Sequence, residues 1–221
     1  MSRSHKENIK CPNCDNAQMI EIWDSVNASA DPNLKEQLIQ GELTTTVCTK
    51  CKKTFFVKYD MIYHDPDEKV MLLLRYPDEN GNVSEFDKDS LELIKAMADD
   101  YILRSVYSFP DLLEKIRIFD DDFDDVSIEI LKYMSRLTNN LEPDEMILYE
   151  GINVDDQGEE HLILIRPVGS EFLAYHYPVY ELDILDEPRQ HIDINKLKEK
   201  DNVWIRVDQE TITDQLTAHN D

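Results

Sequence analysis

The sequence predicts an α+β fold, and three observations carry that prediction. All four cysteines fall into two Cys-x-x-Cys pairs, Cys11/Cys14 and Cys48/Cys51. The stretches beside those pairs alternate apolar and polar residues in the manner of strands. From Asp87 the pattern changes to apolar residues at helical spacing, and past Leu141 it returns to strand-like runs separated by turn residues.

Two residues between cysteines let both sulfurs address one ion across a tight turn. Two such turns supply four thiolates, the ligand set of tetrahedral structural zinc. An iron–sulfur centre and a redox pair are the alternatives, although redox Cys-x-x-Cys motifs occur singly beside a βαβ pattern. Four thiolates leave no open coordination position, so the expected role of Zn2+ is structural. His5 and His64 are alternative ligands by residue type; His64 reads better as a hydrogen-bonding turn residue in "YHDPD".

Thirty-three residues separate Cys14 from Cys48, where a simple ribbon uses about 15–20. "QMIEIW" reads as a strand leaving the first turn. "SADPNLKEQLIQG" reads as a helix, with Asp31 at its cap, Pro32 at its first position, Gly41 at its end, and Leu34 and Leu38 on one face. "ELTTTVC" returns as a strand, "KTFFVKYDMIYH" leaves as another, and "KVMLLLRY" follows the "HDPDE" turn. The expectation is a four-cysteine zinc ribbon with a helical insert, in which the metal closes a sheet too small to build its own core.

The residues "CPNC", "DSVNASADPNLKEQLIQGELTTTVCTKC" and "YDMIYHDPDEKVMLLLRYP", with the later "RSVYSFPDLLEKIRIFDDDFDDVSIEILK", resemble the CpXC domain family of bacteria and archaea over about Ile9–Leu137. The resemblance implies a zinc-holding fold and no particular activity. One departure stands out: the second pair reads "CTKC", with Thr49 where the family name implies proline.

The acidic middle is expected to be helical. "DKDSLELIKAMADDYILRSV" sets Leu91, Ile94, Ala98 and Ile102 near one face, with Asp89 or Ser90 as cap. "SFPDLLEKIRIF" and "DDVSIEILKYMSRL" give two more helices. The run "FDDDFDD" fails the EF-hand pattern, which needs Gly at its sixth and Glu at its twelfth place; it reads as a turn whose last aspartates cap the next helix. Beyond it, "MILYEGINV" and "EEHLILIRPV" flank the hairpin turn "DDQG". "EFLAYHYPVYEL" and "NVWIRVD" are expected as further strands of a small antiparallel sheet, and "QETITDQL" as a closing helix. The expected domains are a ribbon over 1–86, an acidic helical segment packed on it over 87–140, and a β-rich unit over 141–221.

The chain has 221 residues and a net charge of −24. Residues 1–86 carry 10 basic and 14 acidic side chains, and residues 87–221 carry 13 and 33. Such a field repels phosphate backbones and anionic lipid and favours a basic protein surface as partner. No apolar run reaches the ~20 residues of a membrane span, and the start lacks a signal-peptide core. The expected location is cytoplasmic, where paired cysteines remain thiols.

No phosphate loop, Gly-x-Ser-x-Gly elbow or His-Glu-x-x-His is present. The expected function is therefore an acidic protein-interaction or regulatory module, with no catalytic residue assigned. A nucleic-acid-binding ribbon is the alternative, on the basic patch Lys50, Lys52, Lys53 and Lys58 beside Phe55 and Phe56. A second alternative is an enzyme with its site in the C-terminal sheet around Glu160, His161 and His176; His161, His176 and His191 lack the spacing of a metal triad. Oxidation that expels zinc from the thiolates would make the same site a redox switch.

Overall fold

A computed structural model describes residues 1–83, 88–97, 100–142, 145–199 and 203–218. Ala98 and the side chains of Asp89 and Ser90 lie outside the described residues. The chain is α+β and divides into two compact units, Met1–Phe109 and Pro110–Asp221.

The first unit is built on a five-stranded sheet. Strands β1 (Arg3–Lys10) and β2 (Ala17–Asn27) form a long antiparallel hairpin. β5 (Met61–Asp65) pairs parallel with the end of β2, and β6 (Val70–Leu74) returns antiparallel beside it. β7 (Ile102–Val106) closes the order β1-β2-β5-β6-β7, parallel to β6. Every residue of β6 is buried, as a strand covered on both faces requires, and its sequence is correspondingly an unbroken apolar run. β1, by contrast, is an edge strand and is exposed at every position but Ile9.

Helix α1 (Pro32–Ile39) fills the insert between the cysteine pairs, with Leu38 fully buried. Asp31 stands at its N-cap position and its carbonyl accepts the Leu34 N–H at 2.9 Å, but its carboxylate makes no cap bond to the helix and instead accepts the Ser2 backbone N–H at 2.9 Å, which lowers its pKa. Gly41 has φ +76°, the left-handed value that the end of the insert demands. A short 3-10 turn (Glu42–Thr44) then leads into the two-stranded ribbon of β3 (Thr45–Val47) and β4 (Thr54–Phe56).

Several elements differ from the sequence expectation. β1 is a strand that the sequence pattern does not predict. The run "KTFFVKYDMIYH" divides into β4 and β5, and His64 lies within strand β5 rather than in a turn. The first acidic helix, α2 (Lys88–Met97), does not reach Val106: Ile102–Val106 is strand β7, because this stretch pairs along the whole of β6.

The second unit packs helices on a three-stranded antiparallel sheet. α3 (Phe109–Asp120) and α4 (Asp125–Thr138) supply Ile118, Val126, Ile128, Ile130 and Leu131 to the core. The sheet has order β10-β9-β8, from β8 (Leu148–Val154), β9 (Glu160–Val168) and β10 (Glu171–Pro178). Tyr149, Leu162 and Leu164 face the same core. A 3-10 turn (Val179–Leu185), the short helix α5 (Asp186–Arg189) and α6 (Gln209–Ala218) complete the unit. "NVWIRVD" is not a strand: Ile205 makes one isolated bridge to Lys198, and Val203, Trp204 and Val207 are buried without a ladder.

The "FDDDFDD" run behaves as a turn and cap. Asp124 has extended backbone, and its carboxylate accepts the Ser127 N–H at 2.9 Å. Asp121 accepts the Tyr149 hydroxyl at 2.7 Å, and burial together with that carboxylate raises the tyrosine pKa. Asp124→Ala should lower stability by about 1 kcal/mol, the usual worth of an N-cap. Urea denaturation followed by circular dichroism measures it; an unchanged midpoint would remove the cap from the account.

Candidate metal centre

The two cysteine pairs sit at the tips of the two hairpins. β1 and β2 end their pairing at Lys10 and Ala17, so Cys11–Asn16 forms the first connection. β3 and β4 end theirs at Val47 and Thr54, so Cys48–Lys53 forms a second of equal length. The backbone pattern repeats. The Cys11 N–H donates to the Asn16 carbonyl at 3.0 Å, and the Cys48 N–H to the Lys53 carbonyl at 2.9 Å. Asp15 and Lys52 follow the second cysteine of each pair; their N–H groups donate to the Cys11 and Cys48 carbonyls, both at 3.0 Å. Both residues have left-handed backbone, with φ 54° and 60°.

These knuckles bring the four sulfurs together, all within 4.8 Å of one another. The close approaches run across the hairpins: Cys11 Sγ lies 3.7 Å from Cys51 Sγ, and Cys14 Sγ 3.7 Å from Cys48 Sγ. A disulfide requires about 2.05 Å. A tetrahedral site with metal–sulfur bonds of about 2.3 Å has sulfur–sulfur edges of about 3.8 Å. The spacing therefore fits a shared metal ion. Cys11 and Cys48 are buried, while Cys14 and Cys51 are half-buried.

The thiols are electrostatically unequal. The backbone N–H of Cys51 is the main influence drawing Cys48 down to about 6, against the opposing effect of burial. The backbone bond from Lys53 lowers Cys51. At Cys14 the backbone bond from Asn16 also pulls downward, but burial and the neighbouring sulfurs outweigh it and push the thiol up to about 11. Four sulfurs this close do not ionise together without a cation to offset them.

The other singled-out residues do not join this cluster. His5 Nδ1 lies 2.9 Å from Asp24 Oδ1. His64 stands between Asn27 and Tyr101, at 3.4 and 3.1 Å, and burial lowers its pKa. In the basic patch, Lys53 donates to Asn13 Oδ1 at 2.8 Å, Lys58 stands 5.7 Å over the Tyr76 ring, and the Phe56 ring lies 5.6 Å from Phe109. In the second unit, His161 contacts Asp155 at 3.2 Å, and with Glu159 these make the other group of metal-capable side chains among the described residues. That group lies on a hairpin, with Asp155 and Glu159 exposed and His161 half-buried. Glu160 is adjacent to His161 on β9 and so points to the opposite face. His176 is exposed on β10, opposite Ile163, and is not in the group.

Sequence reasoning missed the side chains that join the knuckles. Gln18, Asn16 and Thr49 hydrogen-bond across the two hairpins. The only available signal was Thr49 itself, which stands where the first knuckle has Pro12.

No helix among the described residues is long and apolar enough to cross a membrane. No curated protein and no solved structure matches the chain. A family model described as CpXC protein matches residues 9–132, more than half the chain and inclusive of both cysteine pairs.

Proposed function

Because the chain belongs to the CpXC family, we propose that Cys11, Cys14, Cys48 and Cys51 hold one structural Zn2+ and make the two hairpins a zinc ribbon. The observation that carries this reading is the pair of 3.7 Å sulfur approaches between knuckles, near the edge of a tetrathiolate tetrahedron. Bound zinc supplies a four-way crosslink and a double positive charge, with no position left for an activated water. β3 and β4 have three residues each, far too few for a hairpin to stand alone, so the crosslink acts on folding.

On that scaffold the protein acts as an acidic protein-interaction or regulatory module of the cytoplasm. Support comes from the excess of acidic over basic side chains, 33 against 13, in residues 87–221. A basic protein surface is the complementary partner, and nucleic acid is disfavoured by the same field. The zinc-loaded chain, used as bait in nuclease-treated lysate, should retain a basic protein that elutes as salt rises, because screening weakens exposed charge attraction. Retention indifferent to salt, or no retained protein, would overturn the interaction reading. One zinc per chain by elemental analysis tests the metal reading separately.

A further inference from the structure

The two knuckles share length and backbone pattern but differ at their second residue, Pro12 in one and Thr49 in the other. The proline ring fixes φ unaided. Threonine has no such restraint, and Thr49 is instead gripped from the opposite hairpin. Gln18 Oε1 accepts the Thr49 backbone N–H at 2.8 Å and its hydroxyl at 3.2 Å. Gln18 Nε2 donates to the Val47 carbonyl at 3.1 Å. One amide thus binds the residues on both sides of Cys48. Asn16 Nδ2 donates to the Thr49 hydroxyl at 3.1 Å and lies 4.0 Å from Cys48 Sγ. Proline at position 49 would present neither the N–H nor the hydroxyl that this arrangement uses.

We infer that Gln18 and Thr49 form a polar clasp, supported by Asn16, that positions Cys48 for the metal and slows the metal's release. The inference rests on the four-thiolate reading above. Polar groups behind metal ligands alter affinity by about 10–100-fold when removed, because they hold the ligands in register. Gln18 is a positioning residue here: it acts on the backbone beside Cys48 and does not touch the sulfur.

The test uses the full chain loaded with zinc and an excess of a chromogenic chelator. Gln18→Ala should release zinc about tenfold faster than the native chain. Gln18→Glu keeps the acceptor that faces Thr49 and should restore part of the slow release. In a Thr49→Pro background, the same Gln18→Ala change should lose most of its effect, since the partner groups are already gone. Loaded with Co2+, Gln18→Ala should keep the thiolate absorption of the native chain, which separates faster release from loss of a ligand. Release by Gln18→Ala at the native rate would overturn the clasp. So would an equal acceleration in both backgrounds, or a changed Co2+ spectrum. A native chain that takes up no zinc would sink the metal reading and the clasp together, whereas zinc uptake with native-rate release from Gln18→Ala would sink the clasp alone.

Discussion

Lys132→Met should destabilise the protein by about 3–5 kcal/mol, the cost of leaving a buried charge uncompensated. Lys132 lies on α4, and its side chain is about 3 % exposed. It reaches Glu114 Oε1 at 2.8 Å and Oε2 at 3.0 Å on α3, and Glu129 Oε2 at 2.9 Å. Lys115 meets Asp125 at 3.2 Å and Glu129 at 3.1 Å. Glu114 also accepts the backbone N–H of Tyr149 at 2.6 Å. All five charged side chains are buried, three carboxylates against two ammoniums. Methionine would fill the volume of Lys132 while leaving Glu114 and Glu129 to face each other in a low-dielectric interior. Glu129→Gln should cost less. Burial already holds Glu129 above the carboxylate range against the pull of Lys132 and Lys115. Its neutral isostere leaves Glu114 with Lys132 and Asp125 with Lys115, but it replaces one of the two oxygens that accept from Lys115 and Lys132 by an NH2, so a loss of about 1.5–3 kcal/mol is expected, smaller than that of Lys132→Met.

The pH dependence of this contrast follows from Lys132. Burial opposes its charge, but Glu114 and Glu129 outweigh that and raise its pKa in the folded protein. A raised pKa makes the contribution complete below the unfolded value of about 10.4 and removes it only as pH climbs through the folded value. The gap between native and Lys132→Met should therefore stay constant across neutral pH and narrow only in strong alkali. Urea denaturation at several pH values measures both effects, and equal stabilities for native and Lys132→Met at neutral pH would dismiss the cluster as an energetic feature.

On the proposed reading of one Zn2+ held by four thiolates, Cys48→Ala should reduce zinc to a small fraction of one ion per chain, with loss of amide protection in residues 45–56. Cys48 is fully buried and lies 3.7 Å from Cys14 across the hairpins. Its loss leaves a three-ligand site on a ribbon whose strands are three residues long. Elemental analysis with hydrogen exchange reports both outcomes. Full zinc content with native protection would show that the fourth thiolate is dispensable and that the ribbon holds itself.

The cysteine cluster was legible because its signal is local: a pair spacing, twice, in a chain with no other cysteine. The α1 insert was legible for the same reason, from Pro32 and Gly41 at its ends. The elements that escaped depend on partners remote in the chain. β1 carries Arg3, His5, Lys6, Glu7 and Lys10, a poor strand composition, and becomes a strand only by pairing with β2. Ile102 falls in helical step with Ile94, yet Ile102–Val106 pairs with Val70–Leu74, some thirty residues earlier. The buried charges on α3 and α4 looked like any others in an acidic region, since nothing in local spacing shows that Glu114 and Lys132 meet in the core. Thr49 was visible as a departure, but its partner Gln18 is 31 residues away.

The exposed edge at β1 bears on how the molecule behaves in a crowd of its own copies. An open strand invites another chain to add itself, the first step of aggregation. Here composition works against that step: a joining strand would strip water from Arg3, His5, Lys6, Glu7 and Lys10, which stand exposed along the edge. The hairpin that carries the first knuckle can thus project an unpaired edge into solvent without becoming a seed for fibres.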